Sequence, residues 1–243
     1  MLQGGSPDPQ HLADRSILQA EAAGSYGGPD GFQGFNFGAG RLQVPLPLPD
    51  TLERTPIDPA KGYAIIELEP GVHFVTEGIY NILVIEAEGG VIVIDAPPTM
   101  AAVIMPAVRE ITDAPVTHFV YSHFHVDHAA AAGPLFGGSG VTIVGGTALS
   151  EALAELGDPT RPVPTLVVAS GDTVALGGVD MKFTELPYSH DRTTTLLELP
   201  ASSTIMLVDI IFPDWVPFRC ATLPVTCSSD TRTAVTPMPR VPS

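Results

Sequence analysis

The chain has 243 residues, and 44% of them are hydrophobic, which is enough to bury one sizeable core and argues against global disorder. Its formal net charge is −16, because 27 Asp and Glu residues stand against 11 Lys and Arg residues. An acidic surface repels phosphate groups, so we expect neither nucleic acid nor an anionic membrane surface as a partner.

Residues 1–58 show no sustained hydrophobic period and include the Gly-rich segment GSYGGPDGFQGFNFGAG. The sequence therefore predicts a largely irregular N-terminal extension, in which residues 13–23 are a candidate short helix. No apolar segment follows a basic start, and no apolar run in the chain reaches transmembrane length. We expect a cytoplasmic protein without an export signal.

The pattern changes at Tyr63, where short runs rich in β-branched and aromatic residues begin. Four such runs, separated by Gly or Pro, predict four strands, and the EGG between the last two predicts a hairpin turn. Helical spacing of apolar residues then predicts a helix over residues 100–111. The four runs are YAIIEL, GVHFVT, YNILVIEA and GVIVIDA.

The second half of the chain alternates between the two kinds of element. A strand at 116–122 runs directly into HFHVDH, a strand at 141–144 follows an Ala-rich segment, and a helix is predicted at 147–156. Sheets covered by helices, an α/β sandwich, account for this order. Five more strands are predicted, at 164–169, 172–178, 179–186, 193–200 and 203–212.

We expect the ordered domain to span residues 59–215. Residues 216–243 are rich in Pro, Thr and Ser and have no useful period, which predicts an irregular tail. The alternative is that the natural C-terminal part has been replaced or lost. Cys220 and Cys227 lie in this tail and are too few for a disulfide framework.

The strongest chemical signal is the segment HFHVDH. The chain has seven histidines, and three of them fall within six residues beside Asp127. Residues at i and i+2 of an extended chain point to the same side, so His123 and His125 can converge on one metal ion. The chain then turns, which aims Asp127 and His128 at a neighbouring point. Imidazole and carboxylate suit zinc, and also iron or manganese.

Two residues outside this segment have the character of further ligands. His190 lies in a polar loop after an apolar strand, where its side chain would face a cleft. Asp209 ends an apolar run, where a carboxylate is costly unless it is paired or coordinated. A turn-forming role before Pro213 is the alternative for Asp209. We expect His118 to be packed or hydrogen-bonded in its strand, and His73 to face solvent or the cleft edge.

HFHVDH resembles the HxHxDH signature of the metallo-β-lactamase superfamily, and the resemblance covers about residues 71–213. It implies an αββα sandwich with the site at one edge, between two sheets. It also implies that Asp95, at a strand end, supports the ligand loop. The resemblance assigns His123, His125 and His190 to a first metal site, Asp127 and His128 to a second, and Asp209 to a bridging position.

The chain departs from the family pattern at three places. AAAA follows DH where a Gly-rich step is usual, and SHDRT stands where GHTxG is common. No His follows His190, although the family has a further downstream ligand. We therefore expect an αββα sandwich whose C-terminal part is incomplete and whose second metal site lacks one ligand.

The resemblance implies a hydrolase that acts on a small-molecule substrate with a zinc-activated hydroxide, using two zinc ions. Asp127 is the predicted catalytic residue, which holds and orients the hydroxide. An Asp at position 209 resembles the thioesterase and lactonase branches, which favours ester, thioester or lactone bonds. The alternatives are a metal-binding, catalytically impaired remnant of the fold, and β-lactamase or mononuclear iron dioxygenase activity.

Overall fold

A computed structural model describes residues 55–210 of the chain. The candidate helix at 13–23, the tail at 216–243 and its two cysteines lie outside the described residues. The domain boundaries at 58/59 and 215/216 therefore remain predictions.

The first four predicted strands are confirmed, and they form an antiparallel meander. The last of them is buried along its whole length, as its unbroken run of aliphatic residues requires. Its neighbour in the meander is buried over four consecutive residues. The strands are β1 (Ala64–Glu69), β2 (Val72–Thr76), β3 (Asn81–Ala87) and β4 (Gly90–Ile94).

Three parallel strands extend this meander into a seven-stranded sheet with the order β1-β2-β3-β4-β5-β6-β7. The predicted helices at 100–111 and 147–156 are confirmed, and two short helices follow β5. The strands are β5 (Val116–Val120), β6 (Thr142–Gly146) and β7 (Leu166–Val168). The helices are α1 (Ala101–Ile111), α2 (Val126–Ala129), α3 (Ala132–Phe136) and α4 (Thr147–Leu156).

The remaining strands pair in a separate antiparallel sheet with the order β11-β10-β9-β8. They are β8 (Thr173–Leu176), β9 (Val179–Glu185), β10 (Thr195–Leu199) and β11 (Thr204–Met206). The prediction of a strand at 203–212 was wrong in its extent, because β11 ends at Met206. The backbone turns instead at Asp209, where φ is +60°.

Two hydrophobic clusters fill the spaces between the layers of the domain. Alternate residues of β3 enter different clusters, Ile82 and Val84 on one face and Leu83 and Ile85 on the other, as the two-residue period of a strand requires. The first cluster contains the buried apolar side chains of the four helices, and the second lies between the two sheets. Within residues 55–210, no helix contributes a buried side chain to the second cluster.

Parallel strands bring their carboxyl ends to one edge of the seven-stranded sheet. Asp95 follows β4 at this edge, and the segment that begins with Tyr121 follows β5. The HFHVDH loop therefore lies at the end of the parallel strands, close to the second sheet. None of the helices in the described range is long and apolar enough to cross a membrane.

Candidate metal centre

The HFHVDH loop changes from extended chain to helix within six residues. His125 has extended backbone angles, with φ −61° and ψ 143°, immediately before α2. His123 and His125 therefore belong to the extended part, and Asp127 and His128 to the first helical turn. All three histidines are buried, and His123 has no exposed surface. Such burial of polar rings is costly unless their nitrogens find partners.

The structure brings His123, His125 and His190 together, and we call these three residues the histidine group. One ligand atom from each, together with one from Asp191, lies within 4.8 Å of the others. Nδ1 of His125 is 2.9 Å from Nε2 of His190. Zinc binds imidazole nitrogen at about 2.0–2.1 Å, so two of its ligand atoms lie within about 4 Å of each other. The side chains converge closely enough to share one ion.

Asp127, His128 and Asp209 lie beside the histidine group, and we call them the carboxylate group. Oδ2 of Asp209 is 3.0 Å from Nε2 of His128, 3.3 Å from Nε2 of His190 and 3.7 Å from Nε2 of His123. Asp209 thus contacts both groups, which is the place that a bridging ligand would occupy. The left-handed turn at its backbone directs the carboxylate into this position.

Asp127 is the predicted ligand with the loosest fit. Its Oδ2 accepts a hydrogen bond of 3.0 Å from the hydroxyl of Tyr80 and lies 3.7 Å from Nε2 of His128. The ligand atoms of His123, His128 and Asp209 form a second set within 4.8 Å of one another, and Asp127 belongs neither to this set nor to the one around the histidine group. Its Oδ1 is buried and has no hydrogen-bond partner among the described residues.

Four buried side-chain nitrogen or oxygen atoms in residues 55–210 lack a hydrogen-bond partner there. Each such atom costs about 1–3 kcal/mol if it stays unsatisfied. All four belong to predicted ligands, and nowhere else in the described domain is such an atom found. Nε2 of His123 and Oδ1 of Asp127 are thus available to a cation, whereas the two Nδ1 atoms lie on the ring edges opposite the Nε2 atoms that contact Asp209. The atoms are Nε2 of His123, Oδ1 of Asp127, Nδ1 of His128 and Nδ1 of His190.

Asp95 lies where the sequence placed it, behind the ligand loop. It is fully buried and accepts hydrogen bonds from the amide and the hydroxyl of Ser122, at 2.9 and 2.6 Å. The Ser122 oxygen is also 2.9 Å from Nδ1 of His123. Because the one hydroxyl proton goes to Asp95, Nδ1 of His123 must donate to Ser122. The lone pair of His123 is thereby placed on Nε2, the atom that faces the cluster.

Sequence reasoning missed the residues that tie down the backbone between His123 and His125. The amide of Phe124 donates to Oγ1 of Thr193 at 3.1 Å, and its carbonyl accepts from Arg161 at 2.6 Å. Arg161 is buried and is bound to Asp158 through two of its nitrogens. No short motif marks these contacts, because the partners come from distant segments.

Asp191 and Tyr80 were also missed. Oδ1 of Asp191 accepts from the amide and hydroxyl of Thr193, and its Oδ2 accepts from the hydroxyl of Thr194. Both oxygens are therefore engaged in holding the loop next to His190. Although Asp191 lies within reach of the histidine group, these bonds make it an anchor of the loop. The only sequence signal was its place beside His190.

The two groups differ in electrostatics. Burial lowers the pKa of His123 well below its usual value and that of His125 to about 4, so both are neutral at pH 7. Burial also acts on His128, but the charges of Asp209 and Asp127 outweigh it and raise the pKa of His128 to about 9. Burial is likewise outweighed at Asp209, where His128 lowers the pKa to about 2. The carboxylate group thus contains an ion pair.

Histidines outside the cluster have local roles. Nδ1 of His118 lies 2.9 Å from the hydroxyl of Thr117, which confirms that it is hydrogen-bonded in its strand. His73 is only 9% exposed, and its Nε2 lies 3.1 Å from a carboxylate oxygen of Glu86. It therefore does not face open solvent.

Comparison with known proteins identifies the fold. The family model of the metallo-beta-lactamase superfamily matches residues 75–204, which is more than half of the chain. A subclass B3 metallo-beta-lactamase of Bradyrhizobium japonicum superposes with a TM-score of 0.50 at 20% identity, over 59% of this chain and 61% of that one. No curated protein sequence matches the chain.

Two further solved structures share the fold. An inverting sec-alkylsulfatase of Pseudomonas sp. has a TM-score of 0.50 at 17% identity, over 59% of this chain and 30% of that one. A mutant flavo di-iron protein of Thermotoga maritima has a TM-score of 0.50 at 17% identity, over 63% and 44% of the two chains. The chain spans less than two thirds of the length of these structures. Its two sheets with helices packed on the seven-stranded one match the metallo-β-lactamase fold, and the chain belongs to the metallo-β-lactamase superfamily.

Proposed function

We propose that this chain is a metal-dependent hydrolase that uses two zinc ions. The observation that carries the proposal is the convergence of one ligand atom each from His123, His125 and His190 within 4.8 Å of one another, beside the carboxylate of Asp209. His123, His125 and His190 would hold one ion, Asp127 and His128 the other, and Asp209 would contact both. The same donors also suit iron or manganese.

Bound metal ions would supply Lewis acidity and lower the pKa of a bound water molecule. The protein contributes orientation and proton handling. Asp127 is the residue we propose to hold and orient the attacking water, because the oxygen that Tyr80 leaves without a partner has lone pairs available.

We propose an ester, thioester or lactone as the bond that is cleaved. The support is Asp209, whose carboxylate resembles the thioesterase and lactonase branches of the family, in contrast to the Cys or Ser that is common in β-lactamases. A shared fold does not select the reaction, and the solved structures above include a β-lactamase and an alkylsulfatase. β-Lactams therefore belong in the substrate panel.

A second candidate is a metal-binding protein with impaired turnover. It is favoured by a specific observation, that the ligand atoms of Asp127 belong to neither of the two sets tight enough to hold one ion. Asp209 is moreover shared between the two groups.

The test uses the full chain. Bound metal is counted by mass spectrometry after zinc loading, and hydrolysis is measured on esters, thioesters, lactones and nitrocefin. Two zinc ions and turnover that is lost in Asp127→Ala support the hydrolase. Asp113→Ala is the matched control, because Asp113 is exposed and outside the site. Metal without turnover on any substrate favours the impaired protein, and bound iron with oxygen uptake favours the dioxygenase.

A further inference from the structure

Tyr80 lies in a tight turn between β2 and β3 that fixes its backbone. Its carbonyl accepts hydrogen bonds from the amide of Glu77 at 3.3 Å and the hydroxyl of Thr76 at 3.2 Å. That hydroxyl also accepts from the amide of Gly78, whose φ of +104° is open to glycine and strained for other residues. The turn therefore sets the direction in which the Tyr80 side chain leaves the sheet.

The side chain of Tyr80 contacts two predicted ligands at once. Its hydroxyl donates to Oδ2 of Asp127 at 3.0 Å. Its ring meets the imidazole of His128 edge to face, with centroids 5.1 Å apart and planes at 72°. One tyrosine from a different part of the sheet thus touches both residues assigned to the second ion.

The carboxylate of Asp127 needs such a contact. The terminal torsion of an aspartate is broad, so an unrestrained carboxylate exchanges its two oxygens easily. The bond from Tyr80 engages Oδ2 and leaves Oδ1, which is buried and has no partner among the described residues. A charge-assisted hydrogen bond of this kind holds one orientation and presents a single oxygen to a cation.

We infer that Tyr80 is a positioning residue for the second metal ion: its hydroxyl holds the carboxylate of Asp127, and its ring holds the imidazole of His128. This inference rests on the proposed function. The ion concerned is a divalent transition metal such as zinc. The histidine group has no contact of this kind with Tyr80, so its own affinity for metal should not depend on the tyrosine.

The test is stepwise metal binding by the full chain with Tyr80→Phe. We expect the affinity for the second zinc ion to fall at least about tenfold, as for other groups that orient a ligand. The affinity for the first should change less than about twofold. Cobalt(II) replaces zinc as a spectroscopic probe, and the bands that grow with the second equivalent should shift.

The matched control is Tyr63→Phe. The Tyr63 hydroxyl also donates to a carboxylate, Oε2 of Glu110 at 2.9 Å, but far from the cluster. This control removes the same kind of hydrogen bond and should leave both metal affinities unchanged. Circular dichroism and thermal unfolding of both variants show whether each is folded.

A double variant separates positioning from general packing. In an Asp127→Asn background, Tyr80→Phe should lower the affinity for the second zinc ion by less than about threefold. The reason is that Tyr80 acts through the carboxylate of Asp127, which this background lacks. Equal zinc affinities in wild type and Tyr80→Phe overturn the inference, as do equal effects of Tyr80→Phe in both backgrounds. If the wild-type chain binds no metal at all, the proposed function fails first and the inference fails with it.

Discussion

The histidine group and the carboxylate group lie side by side but are built differently. His123, His125 and His190 are buried nitrogen donors, and the loop that carries the first two is tied through Phe124 to Thr193 and Arg161. In the carboxylate group, Asp127 and Asp209 keep 18% and 16% of their side chains exposed. The histidine group is held by hydrogen bonds to the backbone of its loop, and the carboxylate group by the ion pair between His128 and Asp209 and by the contacts of Tyr80.

This difference implies that the two metal ions would bind with different free-energy costs. His123 and His125 are neutral in the metal-free protein, so binding there displaces no proton from them. His128 is protonated and paired with Asp209, so an ion that binds there must displace a proton and break an ion pair. We therefore expect the histidine group to load first at pH 7.

The largest expected effect comes from His125→Ala. If His125 is a direct ligand, as proposed, its loss should weaken zinc binding at the histidine group by more than about 100-fold, beyond the 10–100-fold usual for groups that only orient a ligand. The carboxylate group should keep a weakly bound ion. Calorimetric zinc titration with metal counting measures both. Two ions that still bind tightly in this variant would contradict the assignment.

The next effect concerns the pH dependence of stability in the metal-free protein. The folded-state pKa of His128 is about 9, above its usual 6.5. The free energy of folding that protonated His128 contributes is therefore fully present below pH 6.5 and is lost as the pH rises through 9. Asp209→Asn should lower the free energy of unfolding at pH 6.5 by about 2–3 kcal/mol. In this variant the unfolding free energy should also decrease less between pH 6.5 and pH 9 than in the wild type.

Urea unfolding in chelator at pH 6.5 and 9.5 measures this difference. Asp172→Asn is the control, because Asp172 is exposed and outside the site. A wild-type protein whose stability does not fall between these two pH values would show that His128 is not held as an ion pair.

A smaller effect is expected from Asp95→Asn. An amide nitrogen cannot accept the hydroxyl proton of Ser122, so Ser122 would donate to Nδ1 of His123 and move the ring proton to Nε2. Zinc affinity at the histidine group should fall about 10–100-fold. Nitrogen-detected NMR of the metal-free protein reads the tautomer of His123 directly. An unchanged tautomer would refute the role assigned to Asp95.

The smallest effect is expected from His73→Gln. His73 interacts with Glu86, whose side chain is 47% exposed, and it lies outside both groups. Partly exposed pairs contribute about 0.2–1 kcal/mol, so unfolding should change by less than about 1 kcal/mol. Metal stoichiometry should equal that of the wild type. A lost ion in this variant would extend the site beyond the two groups.

Much of the fold could be predicted because local pattern and burial agree. β4 is a run of aliphatic residues and is buried throughout, and α1 buries Ile104, Ala107 and Val108 at helical spacing. The strand predicted at 203–212 was too long, because the apolar run continues past Met206 while the backbone turns at Asp209. Hydrophobicity alone does not reveal the turn at Asp209, because that turn depends on a backbone conformation and not on an apolar period.

The amino-acid sequence by itself determined the strands and the two long helices of the described domain and the cluster HFHVDH, because their signals lie within a few neighbouring residues. Only the tertiary structure decided which distant side chains complete the site. Tyr80 and Asp127 are 47 positions apart, Phe124 and Arg161 are 37 apart, and Phe124 and Thr193 are 69 apart. Such contacts leave no local period, since they arise when sheet pairing brings separate loops to one edge.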